Sequence, residues 1–243
     1  MTSLFQSVSR RRSGLAVCLF GAAVAGYLLH DPVRSGLRWI KHSLVPVRVA
    51  HPNYIYSDRM NSIFAALETN APIVMLGDSR IEEGPWAELF GNPKISNRGI
   101  SGDTVEGVAG RLTQAMPSDV QLCILQIGFN DILQGVAPEI VAESYKVLID
   151  EIRARKQSVI LIMSTIFGGR TYDSVNSRIR QLNIRLEAVA NGDDVLWLDV
   201  NRRLSPNGYL EAGFTNDDIH LNGIAYLSVL KPLLDPYIGS AHE

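Results

Sequence analysis

Five short apolar runs recur along the chain, at 73–76, around Ile95, and at 122–127, 159–163 and 195–198. Runs of this length without polar alternation are what strands buried on both faces show. Between them lie longer amphipathic stretches, 104–115, 138–156, 172–191 and 222–234, whose spacing predicts helices. Strand and helix therefore alternate. That order implies a mainly parallel sheet covered on both faces, a three-layer α/β/α arrangement. Asp103 followed by Glu106 reads as a capping box and places a helix start directly after Gly102.

The N-terminal part has a different pattern. Arg10, Arg11 and Arg12 precede an apolar run over 14–29, which His30, Asp31 and Pro32 end. A basic stretch before an apolar one is a membrane-targeting signal. As a helix the run would cover roughly 24 Å, slightly less than a bilayer core of about 30 Å. Ala23-Val24-Ala25 offers a small-x-small cleavage site, yet Tyr27, Leu28 and Leu29 prolong the apolar stretch and favour an uncleaved anchor. The arginines would stay in the cytoplasm and the remainder would face the periplasm or exterior. The expected organisation is an anchor or signal peptide over 1–30, a tether with a short helix (58–68) over 31–69, and one domain over 70–243.

Composition narrows the partners. The net charge of -2 over 243 residues gives no electrostatic footprint for nucleic acid. The two cysteines, Cys18 and Cys123, fall in apolar runs, so no disulfide is expected, and neither has the spacing of a zinc site.

Four segments carry candidate chemistry: Gly77-Asp78-Ser79, Ile100-Ser101-Gly102-Asp103-Thr104, Gly128-Phe129-Asn130-Asp131 and Asp217-Asp218-Ile219-His220. The first three follow predicted strands and the fourth leads into the last predicted helix. Ligands of open parallel sheets bind beyond the carboxyl ends of the strands. Ser79 offers a hydroxyl nucleophile, or else a plain helix cap. His220 offers a base; the other four histidines, His30, His42, His51 and His242, fall in the N-terminal part or the tail. Asp217, three residues earlier, could orient the imidazole. Gly102 and Asn130 offer hydrogen-bond donors. Phe129 and Ile132 read as core or as the wall of an acyl pocket, and Gly168-Gly169-Arg170 as part of a cleft rim. Arg80 reads as a surface ion pair with Glu82, Glu83 or Glu88, or as a contact for an anionic substrate.

The order Ser, Gly, Asn, His, with Asp-x-x-His near the C-terminus, resembles the SGNH or GDSL hydrolases over about 73–236. The resemblance implies a flavodoxin-like fold and a catalytic set of Ser79, Asp217 and His220. It also implies an oxyanion hole built from the N–H groups of Ser79 and Gly102 and the Asn130 amide. No cofactor or metal is implied. Two positions depart from the family pattern: Asp218 stands where glycine is common, and Arg80 where leucine is common. The activity so implied is hydrolysis of small acyl esters, with O-acetyl groups on cell-envelope saccharides first. Lysophospholipid or thioester hydrolysis, acetyl transfer between glycans, and non-catalytic glycan binding remain alternatives.

Overall fold

Within each strand, successive side chains point to opposite faces, and both faces here are apolar. Val74 and Leu76, Cys123 and Leu125, and Ile160 and Ile162 enter one core, while Ile73 and Met75, Leu122 and Ile124, and Leu161 and Met163 enter a second. The sheet therefore needs cover on both sides. A computed structural model describes residues 53–67, 70–116, 120–155 and 158–240 and shows that cover. The expected anchor, the tether up to residue 52 and Cys18 lie outside the described residues.

Five parallel strands, β1 (Ile73–Gly77), β2 (Ile95–Gly99), β3 (Leu122–Gln126), β4 (Val159–Met163) and β5 (Val195–Leu198), pair in the order β2-β1-β3-β4-β5. This is the flavodoxin-like three-layer α/β/α arrangement. Before the sheet comes α1 (Tyr54–Ala66); after β1 come α2 (Ser79–Glu82) and α3 (Trp86–Leu89), and after β2 come α4 (Val105–Gly110) and α5 (Leu112–Ala115). Next are α6 (Phe129–Leu133), α7 (Pro138–Arg155), α8 (Asp173–Glu187) and α9 (Asn201–Leu204). The final helix starts at Gly223–Ala225, passes a π-helical stretch, Tyr226–Leu230, and ends as α10 (Lys231–Ser240). Val105, Val108, Tyr145, Leu148, Ile179 and Leu182 close one core, and Ile81, Trp86, Val200, Leu204, Tyr226 and Leu234 the other. Cys123 is fully buried in the first, which pushes its thiol up to about 12.

Several boundaries differ from the sequence reading for local reasons. The stretch 104–115 is two helices, because Arg111 leaves helical geometry between them (φ -116, ψ 13). The cap of α4 is Thr104, whose hydroxyl accepts from Gly107 N at 3.2 Å. Asp103 does not form the expected capping box; its carboxylate accepts from the Thr104 N–H and pairs with Arg111 at 2.7 Å. Helix α1 starts four residues before the expected 58, where the Asn53 side chain accepts from Tyr56 N at 3.1 Å. The last helix begins at Asn222, which caps Ile224 N and Ala225 N, and runs six residues beyond the predicted 234.

Candidate active site

The strand order reverses at β1, whose two neighbours are β2 and β3. At such a switch point the loops leaving adjacent strands diverge and open a crevice. Gly77 ends β1, and Asp78 caps α2 by accepting from Arg80 N at 3.1 Å. The capping role that Ser79 could have had thus belongs to Asp78. Ser79 is the first residue of α2, and its Oγ lies 3.1 Å from His220 Nε2. His220 Nδ1 lies 2.5 Å from Asp217 Oδ2. The structure therefore brings Ser79, His220 and Asp217 into one line.

The loop carrying the last two is shaped by its own backbone. A bridge between Thr215 and Leu221 pinches it, and Asp217 Oδ1 accepts from Ile219 N (2.9 Å) and His220 N (2.7 Å). Partial burial works against the charge of Asp217, but hydrogen bonds from the His220 ring and from these two N–H groups outweigh it. Its carboxyl is held well below the usual carboxylate range. Asp218 turns away: its φ is 68°, Thr171 Oγ1 donates to its Oδ2 at 3.0 Å, and Gly169 N donates to its carbonyl at 2.7 Å. A left-handed backbone here gives a physical reason for glycine at this position. Near the other ring nitrogen, Glu83 Oε1 lies 3.9 Å from His220 Nε2.

Three candidate donors face the same space. The N–H groups of Ser79 and Gly102 reach no protein acceptor among the described residues. Asn130 Nδ2 donates one hydrogen to the Asp103 carbonyl at 2.9 Å, leaving its second N–H for a ligand. Asn130 is placed by Gly128, whose φ of 110° turns the chain from β3 into α6. A Cβ on Gly128 would lie 3.0 Å from both Thr165 Oγ1 and Leu182 Cδ2. The carbonyl of Ile127 just before it is fixed by Thr165 Oγ1 (2.7 Å) and Tyr145 Oη (2.8 Å).

A cleft of about 190 Å³ opens here, lined by Ser79, Ser101, Gly102, Asn130 and His220, with Phe129 and Leu133 as its apolar wall. Ile132 is fully buried in the core and does not line it. Gly168, Gly169 and Arg170 do not form its rim: Gly169 backs the His220 loop through Asp218, Gly168 bonds with Asn176 and Leu210, and Arg170 stacks on Tyr209 at 4.1 Å. A larger cavity of about 510 Å³ lies beside β5 and α8, and no histidine or cysteine lines it. Chemistry therefore places the site in the smaller cleft.

Arg80 corrects its reading as a surface ion pair. It is 2% exposed and pairs with none of Glu82, Glu83 and Glu88. Its guanidinium donates to the carbonyls of Ile219 (2.9 Å), Ile166 (2.8 Å) and Phe167 (3.4 Å) and lies 4.2 Å from the Phe129 ring centre. Of the three, Ile219 lines the cleft, while Ile166 and Phe167 belong to the loop that follows β4. A charged residue directly after Ser79 gives a sequence no cue to burial.

Residues 76–226 match the GDSL-like Lipase/Acylhydrolase family. No curated protein matches the chain. Among solved structures, one from Streptococcus pneumonia assigned as a platelet activating factor is 23% identical, covers 84% of this chain and 99% of its own, and superposes with a TM-score of 0.69. An acetyl-xylooligosaccharide esterase mutant from Geobacillus stearmophilus is 18% identical, covering 71% of this chain and 95% of its own, with a TM-score of 0.58. A lipase/acylhydrolase from Enterococcus faecalis is also 18% identical, over 69% of this chain and 95% of its own, with a TM-score of 0.58. These structures share the fold of this chain, and the match over 76–226 carries all four motif segments. The chain belongs to the GDSL-like lipase/acylhydrolase family.

Proposed function

We propose that this protein is a serine ester hydrolase that removes small acyl groups, acetyl first, from saccharides of the cell envelope. One observation carries the reading: the alignment of Ser79 Oγ, His220 and Asp217 at 3.1 and 2.5 Å. With Asp217 accepting from Nδ1–H, Nε2 is left to accept the Ser79 proton. Ser79 Oγ then attacks the ester carbonyl, and the N–H groups of Ser79, Gly102 and Asn130 hold the oxyanion. His220 passes its proton to the leaving alcohol, and water releases the acyl group by the same route in reverse. The start of α2 adds the favourable end of a helix dipole beside the developing charge.

The size of the cleft supports a small acyl group. About 190 Å³ is below the range of 300–1,000 Å³ typical of sites for drug-sized ligands. The esterase from Geobacillus stearmophilus is named for acetyl-xylooligosaccharides, which agrees with an acetylated saccharide here. One feature favours a second reading: Leu133, on the cleft wall, is 46% exposed, and an open apolar rim suits a longer acyl chain of a lysophospholipid or thioester. A series of p-nitrophenyl esters decides between them. Acetate and butyrate turning over faster than octanoate, together with acetate release from acetylated envelope polysaccharide, supports the first. Preference for octanoate supports the second.

The location is part of the proposal. The basic and apolar pattern of residues 10–29 supports a membrane anchor with the hydrolase domain outside the cytoplasm. Among the described residues no helix is long and apolar enough to cross a membrane. Fractionation with membranes and cleavage of the domain by externally added protease are expected. A protein recovered only in the cytosol would oppose it.

A further inference from the structure

Helix α1 lies outside the matched 76–226 and, in sequence, belongs to a tether. Its contacts give it another place. Tyr56 Oη donates to Glu82 Oε1, and Glu82 Oε2 accepts from Ser101 N at 2.8 Å and from the Ser101 hydroxyl. Two turns along the same face, Phe64 is 7% exposed and lies 4.6 Å from the Arg98 guanidinium and 5.9 Å from that of Arg111. Arg111, itself 3% exposed, pairs with Asp103 at 2.7 Å and donates to the carbonyl of Gly77 at 3.2 Å. Arg98 donates to the carbonyl of Leu67 just past the end of α1, at 3.3 Å. Burial of the Tyr56 hydroxyl and its bond to Glu82 push it up to about 12, so it remains a donor at neutral pH.

Both chains of contact end beside one residue. Ser101 and Asp103 bracket Gly102, a cleft-lining residue whose φ of 84° sits in a turn closed by the Asp103 N–H donating to the Ile100 carbonyl at 3.1 Å. The Asp103 carbonyl also holds the Asn130 amide. A donor of this kind works only when it is held where the oxyanion forms.

We propose that α1 is a positioning element of the hydrolase site, with Tyr56 acting through Glu82 and Phe64 through Arg111 to hold residues 101–103 and so aim the Gly102 N–H. This rests on the ester-hydrolase reading above. Loosening the brace weakens an interaction made in the transition state, so kcat falls while KM holds.

The test uses the full chain and one p-nitrophenyl ester. Tyr56→Phe should lower kcat about tenfold with KM within about twofold and Tm unchanged, a part of the loss seen when an oxyanion donor is removed outright. Phe64→Leu should do the same with some loss of Tm, and Ser62→Ala, on the exposed side of α1, should do neither. Adding Tyr56→Phe to Glu82→Gln should cost no further activity, since the two act in one chain. Amide hydrogen exchange over 100–104 should quicken in Tyr56→Phe while β3 is unaffected. Wild-type kcat and exchange in both variants would overturn the proposal, as would additive losses in the Tyr56/Glu82 pair. If the wild type itself cleaves no ester and takes no fluorophosphonate label, the hydrolase reading has failed, and the exchange experiment alone decides whether α1 orders the loop.

Discussion

Two adjacent acids precede the candidate base, and the structure separates them. Asp217 faces the ring while Asp218 is committed to Thr171 and Gly169. Asp217→Asn should lower kcat by at least about tenfold, roughly 1.4 kcal/mol of barrier, because a neutral amide neither fixes the productive tautomer nor stabilises the imidazolium. Asp218→Asn should change kcat only slightly. The opposite ranking, measured on folded variants with one ester, would transfer the orienting role to Asp218. Residue chemistry beyond the predicted strand ends, together with the resemblance to the SGNH hydrolases, named Ser79, Gly102, Asn130, Asp217 and His220. It could not show which way Asp218 points. That depends on a left-handed backbone and on contacts 47 residues away.

Strands β4 and β5 lie where the apolar runs place them, because each packs apolar side chains against both cores, β5 at the sheet edge being half-buried. Helix ends were less legible. They depend on side chains such as Thr104, Asn53 and Asn222 competing to cap free N–H groups, and on partners like Arg111 that draw Asp103 off the cap. Arg80 shows the same limit between elements, for it joins α2 to the 166–167 loop and the His220 loop. Arg80→Leu leaves these buried carbonyls without donors, at a cost of about 2 kcal/mol or more. Activity should fall with it, since Ile219 adjoins His220. Arg80→Lys should restore little, because a single ammonium cannot serve three carbonyls at once. A denaturant midpoint for Arg80→Leu equal to that of the wild type would show that this strut contributes nothing.

At the scale of the molecule, the switch point at β1 gathers the candidate site and also crowds carboxyls beneath it. Burial pushes Asp78 up to about 6, against the pull of Arg80, and Asp78 Oδ2 has no hydrogen-bond partner. Burial likewise pushes Asp131 up to about 7, against a bond from the Val105 N–H. Both groups hold protons in the folded chain that the unfolded chain has already released. Stability should therefore fall as pH rises from about 4 to about 7, with the depressed Asp217 contributing only below that window. Asp131→Asn keeps an acceptor for Val105 but cannot ionise. Its Tm, relative to the wild type, should improve between about pH 5 and pH 8, and an offset that does not change with pH would contradict the assignment. The central claim is that Ser79 is the nucleophile of an ester hydrolase. Its most direct measurement is p-nitrophenyl acetate turnover and fluorophosphonate labelling by the full-length chain beside a folded Ser79→Ala variant. The expected result is turnover with a label on Ser79 in the wild type and loss of both in the variant; retained turnover by folded Ser79→Ala would contradict it.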